Sequence, residues 1–251
     1  MKDFSLRTGP GHPSPPSSSH FVCPEESAFY ALCLQHLVFA PQEHTSFVEF
    51  GSGDGKPVIA AIKKSSFAGK VTGWEISVPS AARAKHNIEI AGLGSQYTIQ
   101  KSCFFASARE YAPQACLIAN PPYVPAFDAQ ELLMPELWGG PDGDRILRSL
   151  FDLDFCSLLL LIPSISNPVQ VIRYGLDQGY FVHQYMAITL PFGTYTSQSS
   201  VQARLREMQS QKISFFFSSH YLLAGVYMSK RSPPVSGRNE SLLQIMTAGK
   251  T

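Results

Sequence analysis

From residue 46 onward, short β-rich runs alternate with segments of helical periodicity, and this alternation restricts the fold more than any other feature of the sequence. Helical segments at 56–65, 79–93 and 142–154 lie between the runs. Strands that alternate with helices form a parallel sheet whose crossover helices cover both faces. The sequence therefore predicts an α/β fold with a doubly wound, mostly parallel sheet. The predicted strands are "SFVEF" (46–50), "KVTGWEI" (70–76), "QYTIQ" (96–100), "ACLIA" (115–119) and "SLLLLI" (157–162).

The segments on either side of this alternation complete the predicted architecture. A helix is expected ahead of the sheet at 24–38, with acidic residues in its first turn. The run 212–228 is expected to be a hairpin that adds antiparallel strands and gives a seven-stranded sheet. Between them the pattern predicts a helix at 167–178, a strand at 180–190 and a helix at 200–211.

Composition indicates a folded domain between two loose ends. Proline and serine crowd the first residues, and Ser, Pro and Gly are frequent after Arg231. We therefore expect a disordered leader at 1–20, one domain at 21–230 and a flexible tail at 231–251. The hydrophobic fraction of 44% and the charged fraction of 16% are those of a soluble globular protein.

Charge and cysteine usage exclude several classes of protein. The net charge of +1 gives no overall field that would attract nucleic acid or an anionic membrane, so any basic patch must be local. The 5 cysteines include no C-x-x-C pair, and the histidines at 86, 183 and 220 are isolated, so no disulfide framework or metal site is indicated. No apolar run approaches the ~20 residues of a membrane-spanning helix. We expect a cytoplasmic protein without a metal or a membrane partner.

The first predicted strand runs into a turn rich in glycine, "EFGSGDG". Glu49 lies at the end of the strand, and Gly51, Ser52, Gly53 and Gly55 follow it. Glycines at a strand-to-helix turn let the backbone approach a ligand beyond the carboxyl end of the sheet. The third glycine follows the second too closely for the dinucleotide fingerprint, which argues against a pyrophosphate cofactor. A turn without a ligand is the alternative at this point.

The second predicted strand ends in "GWEIS", which leaves Glu75 at its tip and Ile76 beside it. A carboxylate in this position can accept hydrogen bonds from both hydroxyls of a ribose, because both hydroxyls are donors. Glu75 alone could equally be a solvated loop acid. Together with the glycine turn, it favours a nucleoside-containing ligand at this edge of the sheet.

The fourth predicted strand is followed by "NPPY", Asn120 to Tyr123. Pro121 and Pro122 fix the backbone and remove donors, which leaves the Asn120 side-chain oxygen and the Pro121 carbonyl as rigid acceptors. Two convergent acceptors suit an NH₂ group, and the Tyr123 ring suits a flat group stacked beside it. The tetrad therefore predicts a site for a planar amide or amine, with a proline-rich strand exit of no function as the alternative.

These motifs, in this order and spacing, resemble the class I S-adenosylmethionine-dependent methyltransferases, which have a Rossmann-like fold. "NPPY" is similar to the tetrad of the members that methylate planar amino groups. The segment "PELWGGPDGDRILRSL" at 135–150 resembles the one that follows the tetrad in HemK-type glutamine methyltransferases. The resemblance covers residues 22–165.

The resemblance implies a role for each motif. S-adenosyl-L-methionine would be the cofactor, with its methionine end at Glu49 and the glycine turn and its ribose at Glu75, next to Ile76. Asn120, Pro121, Pro122 and Tyr123 would form the catalytic site at the target nitrogen, with Asn120 also beside the cofactor. The acid that usually follows the third strand is missing here, so adenine recognition is assigned to backbone groups near Cys103 or to Phe104.

Three functions remain open on the sequence. The first is methylation of a protein glutamine, and a macromolecular partner of this kind is favoured because the net charge is small. The second is methylation of adenine or guanine amino groups in nucleic acid. The third is a binding protein that keeps the cofactor pocket without turnover. The segment "LPFGTYTSQSS" at 190–200 is predicted to be either a substrate rim or a long loop.

Overall fold

The computed structural model describes residues 23–231 and 237–248. The predicted leader at 1–20 lies outside the described residues. All the described elements belong to one α/β unit built on a single sheet.

The sheet strands follow the predicted alternation closely. Their bounds are β1 Ser46–Phe50, β2 Lys70–Trp74, β3 Tyr97–Gln100, β4 Cys116–Ala119, β5 Ser157–Pro163, β6 Phe181–Pro191, β7 Phe216–Phe217 and β8 His220–Ser229. The order across the sheet is β3-β2-β1-β4-β5-β8-β6, with β7 paired to β8. The first five strands pair in parallel, and β8 pairs antiparallel with both β5 and β6.

The helices cover both faces of this sheet. Their bounds are α1 Pro24–Cys33, α2 Lys56–Lys64, α3 Val78–Ala91, α4 Phe104–Ser107, α5 Arg145–Phe151, α6 Pro168–Asp177, α7 Ser199–Ser210 and α8 Arg238–Met246. A π-helical turn, Leu34–Phe39, continues α1. The doubly wound, mostly parallel α/β fold with antiparallel C-terminal strands is therefore confirmed.

Alternation along the strands separates two apolar cores. In β5 every residue is buried, with Leu159 and Leu161 in the core under α1, α2 and α3, and Leu158 and Leu160 in the core under α5 and α6. Successive side chains of a strand point to opposite faces, so a strand covered on both sides reads as a continuous apolar run. This explains why "SLLLLI" identifies a central strand.

The C-terminal strands pair differently from the predicted hairpin. The expected first arm contributes only the two residues of β7, where Phe216 pairs with Tyr221. The long antiparallel partner of β8 is β6, which pairs with it from Phe181 to Pro191. The intervening helix α7 lies between β6 and β8 in sequence, so this pairing could not be read as a local hairpin.

The segment after Arg231 contains a docked helix, where the sequence predicted a flexible tail. Leu242 and Met246 of α8 are fully buried in the core beside α6. The Val182 backbone N–H donates to Asn239 Oδ1 at 3.1 Å, and Tyr185 Oη lies 2.7 Å from Ser241 Oγ, which ties the helix to β6. Leu242 and Met246, with the partly buried Leu243, form too short an apolar pattern to outweigh the proline and glycine that precede α8 in the sequence.

Candidate functional site

A cavity of about 500 Å³ opens at the carboxyl ends of β1, β2 and β4. The glycine turn, the tip of β2, the NPPY tetrad, α1 and the loop after β6 line it. Parallel strands bring their carboxyl ends to one edge of a sheet, which is where ligands bind in folds of this type. The structure thus brings the predicted motifs of β1, β2 and β4 into one space.

The glycine turn presents bare backbone to this cavity. Gly51 has φ +68° and Gly53 has φ +55°, in the left-handed region that favours glycine. A Cβ built on either residue would meet no heavy atom within 4 Å, so both face open space. Ser52 is buried beside them, and its hydroxyl donates to the Trp74 carbonyl at 3.4 Å. Gly55 instead packs against Tyr97 and begins α2, outside the cavity lining.

Glu75 holds the turn in place as well as facing the cavity. Its two carboxylate oxygens accept from the Gly53 and Ser77 backbone N–H groups, each at 2.8 Å. Each oxygen keeps a second lone pair, so the carboxylate can still accept from ligand hydroxyls. Ile76 beside it is 72% exposed and borders the same cavity.

Glu49 is a buried carboxyl group at the floor of the cavity. Its side chain is 2% exposed, and the Tyr97 hydroxyl donates to its Oε2. Burial raises the pKa of Glu49 to about 7, against the opposing effect of the hydrogen bonds from Tyr97 and Ser52. The group therefore changes charge near neutral pH and is matched to a cationic ligand.

The tetrad leaves one acceptor unpartnered. Asn120 Oδ1 is buried and meets no hydrogen-bond donor among the residues that the structure describes. Burial raises the pKa of the neighbouring Glu26, and the Asn120 side chain opposes that rise. Asn120 and both prolines border the cavity. A buried carbonyl oxygen without a donor is costly, which makes Asn120 a candidate for contact with a ligand.

The segment "GGPDG" at 139–143 packs directly against the tetrad. A Cβ at Gly139 would come within 2.6 Å of Tyr123 Cα, and one at Gly143 within 2.4 Å of the Tyr123 carbonyl oxygen. Only glycine permits this approach of two backbones. The Ser166 hydroxyl also donates to the Tyr123 carbonyl, at 2.7 Å. The segment therefore fixes the backbone of Tyr123.

Two residues that the sequence analysis did not single out complete the site. The Tyr123 hydroxyl donates to Glu26 Oε2 at 3.0 Å and lies 2.9 Å from the Tyr221 hydroxyl. Glu26 is 2% exposed, and burial raises its pKa. It lies on one buried face of α1 with Phe29, Tyr30 and Cys33, which follow it by three, four and seven positions. In the sequence, the signal for Glu26 was an acidic residue on the core-facing side of a predicted helix.

Cys103 and Phe104 do not reach this cavity. The Cys103 side chain is exposed, whereas Phe104 packs edge-on against Trp74 and Phe50, with ring centroids 5.4 Å apart in both pairs. Neither residue is part of the cavity lining. The loop after β6 does contribute, because Gly193 to Thr196 border the cavity and Thr196 Oγ1 accepts from the Gly193 N–H at 2.9 Å.

The ionisable lining of the cavity is acidic. Among the described residues its charged members are Glu25, Glu26, Glu49, Asp54, Glu75 and Glu136, and no lysine, arginine or histidine borders it. Within residues 23–231 and 237–248, no group of three or more side chains is arranged to hold a metal ion, and no helix has the length and apolarity to cross a bilayer. The cavity thus favours cationic or neutral ligands over anions.

Comparisons with known proteins identify the fold. No family model matches the chain, and no curated protein matches its sequence. Among solved structures, the chain is similar to a ribosomal protein L11 methylase from Lactobacillus delbrueckii subsp. bulgaricus, with 15% identity, a TM-score of 0.50, and coverage of 85% of this chain and 82% of that one.

Two further structures give comparable matches. One is a Pyrococcus horikoshii protein provisionally assigned as an RNA methyltransferase, with 12% identity, a TM-score of 0.51 and coverage of 84% and 86%. The other is a geranyl diphosphate C-methyltransferase from Streptomyces coelicolor A3(2), with 11% identity, a TM-score of 0.50 and coverage of 82% and 80%. At these identities the likeness concerns architecture alone. The chain has the Rossmann-like α/β fold of these methyltransferases.

Proposed function

We propose that this protein is an S-adenosylmethionine-dependent methyltransferase acting on a planar amide or amine nitrogen, with a protein glutamine side chain as the acceptor. The observation that carries the proposal is the unpartnered Asn120 Oδ1 in the same cavity as the glycine turn and Glu75. A turn that can admit a nucleoside and a residue with an unpartnered amide oxygen border one cavity, which supports the proposal. The structure of S-adenosylhomocysteine bound to the Streptomyces coelicolor enzyme supports a cofactor of this class for the fold.

The residues present fit S-adenosylmethionine. Gly51 and Gly53 expose backbone where a side chain would have free space, which allows close approach of a ligand. Glu75 has lone pairs available for ribose hydroxyls, and Glu49 matches a cationic amino group. Ile76 is an exposed apolar surface beside the ribose position, suited to one face of adenine. The role predicted for Cys103 and Phe104 passes to Ile76 in this proposal, because neither residue lines the cavity.

The tetrad would hold and activate the acceptor nitrogen. When bound, the cofactor supplies an electrophilic methyl group on a sulfonium. Asn120 Oδ1 and the Pro121 carbonyl would each accept an N–H hydrogen bond from the acceptor, which favours a more tetrahedral nitrogen and returns its lone pair. Holding the nitrogen, the methyl carbon and the sulfur in line can lower the barrier by ~7–11 kcal/mol. No strong base is required, because the nitrogen would lose its proton after the methyl group arrives.

The charge of the cavity favours a protein over nucleic acid. A nucleic-acid substrate carries phosphates next to the target base, and proteins that bind it present lysine and arginine to them. This cavity presents six acidic side chains and no basic side chain among the described residues, and burial raises the pKa of two of the six, Glu26 and Glu49. A neutral glutamine amide reaches the tetrad without that repulsion.

The experiment is incubation with methyl-labelled S-adenosylmethionine and cell extract, followed by separate protease and nuclease digestion. We expect protease-sensitive label that complete digestion recovers as methylglutamine, and none with the Asn120→Ala variant. Nuclease-sensitive label would instead indicate that the acceptor is an amino group of nucleic acid. If calorimetry shows cofactor binding but no label is transferred, the protein is a binding module.

A further inference from the structure

We propose that Tyr97 is a positioning residue: its hydroxyl holds the Glu49 carboxyl group at the floor of the cavity, where that group meets the cationic end of a bound cofactor. The inference deepens the proposed function and rests on it for the identity of the ligand. The contact itself, one hydroxyl that acts on one carboxyl group, can be tested without any ligand.

The contact joins two strands that are not neighbours in the sheet. Tyr97 begins β3 and Glu49 lies near the end of β1, with β2 between them. The Tyr97 hydroxyl donates to Glu49 Oε2 across this gap. Tyr97 is 1% exposed, and a buried hydroxyl without an acceptor would be costly. The two side chains therefore depend on each other for a hydrogen-bond partner.

Gly73, in the middle of β2, leaves room for this contact. It pairs with Glu49 on one side and with Ile99 on the other, and Tyr97 lies on the same face of β3 as Ile99. A Cβ at Gly73 would lie 2.1 Å from Ser52 Oγ and 3.2 Å from Glu49 Oε2. A glycine inside a strand often marks a close approach of another group. Here the carboxyl group occupies the space over β2, within reach of β3.

The ring of Tyr97 is packed under the start of α2. A Cβ at Gly55 would lie 3.3 Å from Tyr97 Cε1 and 3.5 Å from Ala84 Cβ of α3. The Tyr97 backbone N–H donates to the Leu93 carbonyl at 2.9 Å, just after α3. The hydroxyl is thus fixed beneath the glycine turn, on the side of the cavity that the cofactor would occupy.

Helix α1 places a second tyrosine near Glu49, without a hydrogen bond to it. Tyr30 is 3% exposed and borders the cavity, and its hydroxyl has no hydrogen-bond partner among the described residues. Cys33 holds the helix on the sheet, because a Cβ at Gly225 of β8 would lie only 2.3 Å from Cys33 Sγ. Of the two tyrosines, Tyr97 is the one that contacts the carboxyl group.

The charges around Glu49 make this donor important. The titratable groups that face Glu49 are Tyr97 from β3, Tyr30 from α1 and Glu75 from the tip of β2. Burial raises the pKa of Glu49, the hydrogen bond from Tyr97 opposes that rise, and the charge of Glu75 adds to it. No lysine, arginine or histidine lines the described part of the cavity. Tyr97 therefore favours the ionised form that a cationic ligand needs.

The informative variant is Tyr97→Phe, because it keeps the ring and removes the donor. A matched control is Tyr180→Phe. Tyr180 is also fully buried, and its hydroxyl donates to the Phe155 carbonyl at 2.6 Å in the core on the other face of the sheet. Each variant loses one buried hydroxyl, so their comparison separates an effect on Glu49 from a general loss of stability.

The first measurement is an NMR titration of the Glu49 side-chain carboxyl carbon in full-length protein with ¹³C-labelled glutamate. The signal is assigned by its loss in Glu49→Gln. We expect a midpoint near pH 7 in the unaltered protein, because burial raises the pKa of Glu49 to about 7. Tyr97→Phe should move the midpoint up by about one pH unit, since burial is then less opposed, and Tyr180→Phe should leave it in place.

The second measurement is the affinity for S-adenosylhomocysteine by calorimetry between pH 6 and 8.5. Below its pKa, Glu49 must lose a proton to pair with a cation, so a higher pKa weakens binding there and has little effect above it. Tyr97→Phe should weaken binding about fivefold at pH 7 and less than about twofold at pH 8.5. It should have no further effect in the Glu49→Gln background, and Tyr180→Phe should bind as the unaltered protein does.

The two measurements separate failure of this inference from failure of the proposed function. A Glu49 titration that is the same in Tyr97→Phe, or is moved equally by Tyr180→Phe, overturns the role of the contact whatever the ligand is. A loss of affinity of equal size at pH 7 and pH 8.5, or no loss at all, overturns the positioning role. If the unaltered protein does not bind S-adenosylhomocysteine, the proposed function fails and the ligand part of this inference fails with it, while a displaced titration still supports the contact.

Discussion

At Glu49 the protein encloses a carboxyl group that is poised to change charge near neutral pH. Desolvation raises its pKa to about 7, and the hydrogen bonds from Tyr97 and Ser52 offset only part of that effect. Glu75, on the neighbouring strand, is instead held by two backbone N–H groups. Under the proposed function, Glu49 suits a charged group of the ligand, and Glu75 suits neutral hydroxyls.

The raised pKa predicts a pH-dependent affinity for the cofactor product. The free protein keeps a proton on Glu49 up to about pH 7, and a bound α-ammonium group favours the ionised form, so binding releases that proton. We expect the affinity for S-adenosylhomocysteine to rise by up to about tenfold between pH 6 and 7.5, measured by calorimetry in two buffers of different ionisation enthalpy. Glu49→Gln should remove the pH dependence. A pH-independent affinity in the unaltered protein would show that Glu49 does not face the ligand charge.

Substitutions at Asn120 and Glu75 should separate turnover from cofactor binding. Asn120→Ala removes the free acceptor and should lower kcat by about 100-fold, with S-adenosylhomocysteine affinity within about twofold of the original. Glu75→Ala removes the ribose acceptor and the anchor of the Gly53 N–H, so affinity should fall by about 10- to 100-fold. Calorimetry and labelled-cofactor kinetics on both variants test this division. Equal losses of affinity and kcat in both variants would contradict the assigned roles.

At the scale of the elements, the sequence predicted the bounds of a strand or helix best where the residue pattern depends on that element alone. β1 has its predicted bounds, and β2 ends two residues early because Glu75 turns into the glycine loop. Contacts between residues far apart in the sequence could not be predicted. The contact from Tyr123 to Glu26, for example, spans 97 positions. The glycine turn, Glu75 and the tetrad could be placed at one edge because each directly follows a strand. Glu26 and Tyr221 could not, because their positions depend on how α1 and β8 pack.

Helix α8 provides a test of the C-terminal element. Leu242 is fully buried, whereas Gln244 on the opposite side is exposed. Leu242→Ala should therefore lower the free energy of unfolding by about 2–5 kcal/mol, and Gln244→Ala, at an equally helical position, by less than about 0.5 kcal/mol. Urea denaturation followed by circular dichroism gives both values. If the two variants have the same stability, the segment is not docked and the original expectation of a loose tail is restored.

For the whole molecule, the small net charge conceals an uneven distribution. The chain carries +1 overall, yet the described lining of its main cavity is entirely acidic among its charged groups. The positive charges lie elsewhere, for example on Arg204, which is paired with Asp142 and Glu207 and stacks on Phe127. The net charge therefore does not describe the charge that a ligand of this cavity would meet.

This distribution predicts weak binding to nucleic acid. We expect single-stranded and duplex oligonucleotides, DNA and RNA alike, to bind with Kd no tighter than about 10⁻⁵ M at physiological salt, by fluorescence anisotropy with saturating S-adenosylhomocysteine. Without phosphate contacts at the cavity, the dependence on salt should be shallow. Tight binding with a steep salt dependence would favour methylation of nucleic acid.

The close contact between Cys33 and Gly225 also sets an order of events during synthesis. Glu26 emerges from the ribosome among the first residues described here, but the strand that seats its helix, β8, is translated near the end and must enter between β5 and β6. A nascent or prematurely terminated chain that lacks β8 also lacks the sheet surface on which α1 packs, so Glu26 is not yet held beside Tyr123.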